Sequence, residues 1–185
     1  MSSSKDALSP AVQPLLVVLM GVSGTGKSTL AGAIAARSEF IFLDADNLHS
    51  NDAIAQMSRG VPLNDKQRDP WIRRIYRQLC DYQSANKNCI LAYSGLKRRH
   101  RQVVFSAYKR SAGVLLRADE QLITERLISR RDHFMAPQLL SSQIADMEPF
   151  DEGAPLLSMD VAGSVEQLVA ELEDFIGLLQ KDSAI

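Results

Sequence analysis

The chain has two cysteines in 185 residues, Cys80 and Cys89, and neither stands in a C-x-x-C or metal-type spacing. That excludes a disulfide framework and a cysteine metal centre, leaving two reduced core thiols, with Cys89 inside an apolar run. Long apolar stretches are also missing: none approaches the roughly 18 residues that a membrane-spanning helix needs. Net charge is nearly absent, with 21 basic against 22 acidic residues, so no overall field exists to hold a nucleic acid or an anionic membrane surface. Any anion site must be local. The opening Met1-Ser2-Ser3-Ser4-Lys5-Asp6 lacks the apolar centre of a secretory signal, so a cytoplasmic protein is expected, with a disordered tail over 1–13. Internal repeats and low-complexity blocks are absent too. A length of 185 residues suits one ordinary domain, expected over 14–180.

What is present is a complete G-x-x-x-x-G-K-[ST] loop, Gly21-Val22-Ser23-Gly24-Thr25-Gly26-Lys27-Ser28, entered directly from the run Leu15-Leu16-Val17-Val18-Leu19-Met20. The glycines let successive backbone N–H groups turn inward around a polyphosphate. Lys27 reaches the β- and γ-phosphates, Ser28 offers its hydroxyl to Mg²⁺, and a helix opening at Lys27 points its positive end at the anion. Leu30, Ala31, Ile34 and Ala35 then recur at helical spacing. A nucleotide is the first ligand, with Gly21, Ser23, Gly24, Thr25, Gly26, Lys27, Ser28 and Thr29 as its cradle.

Four more short apolar runs follow: Phe40–Leu43, Cys89–Tyr93, Gly113–Arg117 and Leu156–Asp160. With helical sequence between them they predict a doubly wound α/β fold: a five-stranded parallel sheet with helices on both faces in three layers. Ligands of such sheets bind beyond the carboxyl ends of the strands, where the phosphate loop, Asp44, Asp46, Ser94 and Asp119 all emerge. Asp69 with Pro70 as first helical residue predicts one helix start, followed by an apolar face of Trp71, Ile72, Ile75, Leu79 and Tyr82. Ser164 and Gln167 form a capping box before a stripe running from Val165 through Leu168, Val169, Leu172, Phe175, Ile176 and Leu179. Segment 126–137, with Arg126, Arg130, Arg131 and His133 and weak apolar periodicity, reads as a mobile cationic lid.

A phosphate loop alone does not choose among switches, motors and kinases. The guanine motifs are incomplete and out of order: Asn86-Lys87-Asn88-Cys89 precedes Asp160-Val161-Ala162-Gly163. The third strand ends in Tyr93-Ser94 rather than an aspartate, so the acidic work falls to Asp44 and Asp46. Alternation along the strand is expected to send both carboxylates the same way. One then serves Mg²⁺ and the other accepts the proton of an attacking hydroxyl, as a small-molecule kinase requires. A nucleotide-dependent regulator would need neither this pair nor the cationic lid.

Six segments in order resemble the gluconokinases, small phosphate-loop kinases related to shikimate and nucleoside monophosphate kinases. They are Met20–Gly24, Phe42–His49, Gly60–Trp71, Ser94–Lys97, Arg130–Phe134, and Ser142-Gln143 with Glu148-Pro149. The chain departs from the family pattern at Ser50, Gln67, Tyr93, Gly95 and His100. The resemblance implies a P-loop NTPase fold and transfer of phosphate from ATP, with Mg²⁺, to D-gluconate, in a homodimer. Another sugar acid or a shikimate-like acceptor is the alternative. It further implies Asp46 as the residue that orients and deprotonates the acceptor, Asp44 on the metal, and His49 in the same pocket if a helical turn begins there. Arg68 and Lys97 are the candidates for the acceptor's carboxylate. Arg126 and Arg130 fold over the nucleotide, and His133 is a lid or acceptor contact.

Overall fold

Six consecutive apolar residues with no polar alternation must be covered on both sides, and Leu15–Met20, strand β1, is buried throughout at the centre of the sheet. In the computed structural model, which describes residues 13–129, 139–151 and 153–181, five parallel strands lie in the order β2-β3-β1-β4-β5. The others are β2 (Ile41–Asp44), β3 (Cys89–Ala92), β4 (Arg110–Arg117) and β5 (Leu156–Asp160). The helices are α1 (Lys27–Arg37), α2 (Asn51–Ser58), α3 (Asp65–Ser84), α4 (Arg98–Phe105), α5 (Glu120–Ser129), α6 (Leu139–Asp146) and α7 (Val165–Lys181). Leu15, Val17 and Leu19 face a core closed by α1 and α7, whereas Leu16, Val18 and Met20 face one closed by α3 and α4. The alternation of β1 therefore feeds two cores, which makes the expected three layers. Cys89 sits in the second, and burial pushes its thiol up to about 12. No helix among the described residues is long and apolar enough to cross a membrane.

Three local expectations need correction. Helix α3 starts at Asp65, not at Pro70. Asn64 caps it in a reciprocal box: its side chain accepts from Gln67 N at 3.0 Å, and Gln67 Oε1 accepts from Asn64 N at 3.0 Å. Two satisfied donors outweigh the one bond that Pro70 cannot make in the second turn, so the helix extends upstream and takes Arg68 into it. Val165, expected in the buried stripe of α7, is 44 % exposed because it opens that helix beside a cleft. Asp44 and Asp46 do not share a strand: β2 ends at Asp44 and a 3₁₀ turn, Ala45–Leu48, takes over. The two carboxylates diverge into neighbouring sites.

Candidate active site

The phosphate loop leaves β1 with Gly21, Gly24 and Gly26 at φ values of 143°, 89° and 92°. These are conformations that side chains resist. A Cβ on Gly21 would also stand 2.8 Å from the carbonyl oxygen of Leu116. Lys27 folds along the loop, its Nζ 2.9 Å from Gly21 O and 2.8 Å from Val22 O. Beside the loop, a cavity of about 230 Å³ is lined by Gly24, Thr25, Gly26, Thr29, Arg126, Gly163 and Val165. Arg126 lies in the last turn of α5, where its Nη2 donates to Val161 O at 2.8 Å. That bond ties α5 to the carboxyl end of β5 and gives the cleft one cationic wall.

Ser28 and Asp44 meet directly: the hydroxyl donates to Asp44 Oδ2 at 2.6 Å, while Asp44 Oδ1 accepts from Asp46 N at 3.0 Å. Two adjacent oxygen donors below a phosphate cradle match how Mg²⁺ is held in phosphoryl-transfer sites, with one or two protein ligands and with phosphate oxygens and waters for the rest. The residues present fit the ion.

A second, smaller cavity of about 40 Å³ brings together Asp46, His49, Arg68, Trp71, Ser94, Ser142 and Gln143. The turn that carries Asp46 is pinned from α3, where Trp71 Nε1 donates to Ala45 O and Arg74 Nε donates to Leu48 O, each at 2.7 Å. Trp71 is thus core, as its helical spacing predicts, and wall of the cavity as well. His49 stacks on it with ring centroids 4.2 Å apart, and its Nε2 lies 3.9 Å from Asp46 Oδ1. Only 4 % of the His49 side chain is exposed, so it is not a solvated surface histidine. Burial, then the charges of Arg74 and Arg68, lower its pKa to about 4. It is therefore neutral at pH 7.

Arg68 and Lys97 are brought together by a residue that sequence reasoning missed. Asp146, the last residue of α6, accepts from Arg68 Nη2 at 2.7 Å and lies 3.1 Å from Lys97 Nζ. Burial opposes its charge, but the hydrogen bonds from Arg68 and Lys97 hold its carboxyl below the usual carboxylate range. The same helix reaches the phosphate loop, where Gln143 Oε1 accepts from Ser23 N at 2.7 Å. A further unanticipated residue is Arg101, fully buried on α4. Its guanidinium donates to the carbonyls of Gly95, Leu96, Glu148 and Pro149 and lies over the Phe150 ring at 4.2 Å. No motif marks it, because the contact exists only once two loops distant in sequence are adjacent. Arg130 and His133 lie outside the described residues.

None of the five departures from the family pattern lines the smaller cavity. Tyr93 is buried against Trp71 at 5.5 Å, and Gly95, at φ +65°, backs onto Met20, where a Cβ would approach to 2.8 Å. His100 is buried with its Nε2 3.2 Å from Asp69 Oδ1. A broader cavity of about 850 Å³ opens on the β4–β5 side, lined chiefly by apolar groups such as Leu115, Ile144, Phe150 and Leu156. Asp46, His49 and Arg68 line the smaller cavity instead.

A family profile described as AAA domain matches residues 16–149. The probable gluconokinase of Dictyostelium discoideum is 33 % identical, over 89 % of this chain and 87 % of its own. The crystal structure of a gluconokinase from Sinorhizobium meliloti 1021 is 31 % identical and superposes with a TM-score of 0.80 over 92 % of this chain and 95 % of its own. The chain belongs to the gluconokinase family. A sugar kinase from Janibacter sp. HTCC2649 is equally close in shape, with a TM-score of 0.83 at 33 % identity over 89 % of this chain and 95 % of its own. Membership makes this gluconokinase-family chain a phosphate-loop kinase that transfers phosphate to an alcohol. Its parallel sheet with helices on both sides is the fold that the sequence predicts.

Proposed function

We propose that the protein phosphorylates D-gluconate at its terminal hydroxyl, using ATP and Mg²⁺, to give 6-phospho-D-gluconate. The observation that carries this reading is one small cavity holding an aspartate, a neutral histidine and an arginine, joined to the phosphate loop through Gln143. Lys27 and the loop N–H groups hold the phosphates of ATP, and Ser28 with Asp44 holds the metal. Bound Mg²⁺ neutralises phosphate charge. Asp46 takes the proton of the terminal hydroxyl as its oxygen attacks the γ-phosphorus in line with the departing ADP oxygen. His49, neutral and fixed against Trp71, orients that hydroxyl through a hydrogen bond. Arg126, with Arg130 from the expected lid, spreads the charge on the transferred group. Arg68 and Lys97 take the carboxylate at the far end of the acceptor, Arg68 by a two-pronged contact and Lys97 as a point charge; His133 is assigned to the same acceptor site. The protein is proposed to work in the cytoplasm as a homodimer.

ADP release measured over a panel of sugar acids, shikimate and nucleoside monophosphates tests the assignment. D-Gluconate should stimulate turnover most; a larger response to shikimate or a nucleotide overturns it.

A further inference from the structure

Helix α6 holds a carboxylate where its own backbone disfavours one. Asp146 stands at the carboxyl end of the helix, against the negative end of the dipole. Its place is explained by Arg68 and Lys97, which it bridges at 2.7 and 3.1 Å. Those cations also meet Asp65 at 3.5 Å and Glu148 at 3.7 Å, respectively. Each of the two cations is thus already met by two carboxylates, and neither holds an open contact for an acidic acceptor.

The cavity beside them is also too small in this arrangement. About 40 Å³ admits a few waters, whereas small-molecule sites begin near roughly 300 Å³. One of its walls is α6 itself, through Leu139, Ser142 and Gln143. An outward movement of α6, which would have to release the bond from Ser23 N to Gln143, would enlarge the cavity and carry Asp146 off Arg68 and Lys97 in the same displacement. Room for the acceptor and charge for its carboxylate become available together.

We propose that Asp146 is a specificity-determining residue: an internal carboxylate that holds the acceptor's anion position until a substrate carboxylate replaces it. An acceptor bearing a carboxylate replaces the two short contacts that α6 gives up, while a neutral polyol of the same length leaves Arg68 and Lys97 only their longer contacts to Asp65 and Glu148. Asp146 thereby makes negative charge a condition of entry. The inference rests on the reading that Arg68 and Lys97 bind the acceptor's carboxylate, and its test separates the two.

Apparent KM for D-gluconate is measured by ADP release for wild type, Asp146→Asn, Asp146→Ser, Arg68→Ala, Lys97→Ala and the Arg68→Ala/Lys97→Ala pair with and without Asp146→Asn. Melting temperatures are taken alongside. Removing the competing carboxylate should lower KM by about three- to ten-fold in both Asp146 variants. That gain should vanish when both cations are gone. An unchanged or raised KM in the Asp146 variants, with Arg68→Ala or Lys97→Ala still raising it, overturns the role of Asp146 and leaves the carboxylate reading standing. Wild-type KM in both cation variants overturns the reading and the inference with it. Asp146→Ser serves where Asp146→Asn folds poorly, since it relieves the same helix end without an amide to place.

Discussion

Replacing Arg101 by Met tests whether a buried guanidinium holds the acceptor side of the site together. The side chain is 0 % exposed, and its donors reach four carbonyls on two loops, Gly95 and Leu96 after β3, and Glu148 and Pro149 after α6. Met fills much the same length but donates nothing. Leu96 O keeps its bond from Glu148 N, and each of the other three carbonyls left unpaired costs about 1–3 kcal/mol. Relief from burying a charge and the flexibility of the loops offset part of that sum. The net expectation is a loss of about 3 kcal/mol, or a fall in melting temperature of about 6–12 °C for a domain of this size. Arg101→Lys, which keeps the charge but not the planar fork, should fall between the two. Urea unfolding followed by circular dichroism reads the effect as a lower midpoint at unchanged slope. Because these loops carry Lys97 and follow Asp146, KM for the acceptor should also rise more than KM for ATP. A Met variant within about 0.5 kcal/mol of wild type would mean that desolvation of the guanidinium cancels its bonds, and the clamp would be refuted.

Asp46→Asn should lower kcat by about 10²–10⁴-fold while ATP still binds, because the proton acceptor is gone; a rate near wild type at saturating substrates removes Asp46 as base. Asp44→Asn should instead raise the Mg²⁺ concentration needed for half-maximal rate, since it loses the carboxylate that meets Ser28 at 2.6 Å; an unaltered Mg²⁺ titration refutes the metal role. For His49, burial lowers the folded-state pKa from 6.5 to about 4, so the unfolded chain takes the proton first. Its contribution to stability is complete above pH 6.5 and declines as pH falls toward 4, by up to about 3 kcal/mol. Denaturation of wild type and His49→Gln across that window should show their stability difference shrinking with acidity, and a constant difference would contradict the burial argument. Arg68→Lys should raise KM for D-gluconate with little effect on that for ATP, and equal losses for both substrates would assign Arg68 to the fold.

The sequence alone determined the strands and the phosphate loop, because these depend on local pattern. Uninterrupted apolar residues at 15–20 demand cover on both sides, and the glycine spacing of 21–26 admits few uses besides wrapping an anion. His49 and Asp46 were placed together by their spacing across a short turn. Helix α3 shows the limit of local signals: Asp69-Pro70 and Asn64-x-x-Gln67 are both legible starts, and the one satisfying more backbone donors prevailed. What the chain could not reveal was which groups meet across long separations. Asp146 lies 78 residues from Arg68, and Arg101 gathers carbonyls from two loops about fifty residues apart in the chain. A carboxylate at a helix terminus or an arginine on a short helix is ordinary until its neighbours are known. Those neighbours follow from the strand order 2-3-1-4-5, which sets α2, α3 and α6 around one cavity. Pattern along the chain records what each segment must bury; only packing decides which charges then have to compensate one another.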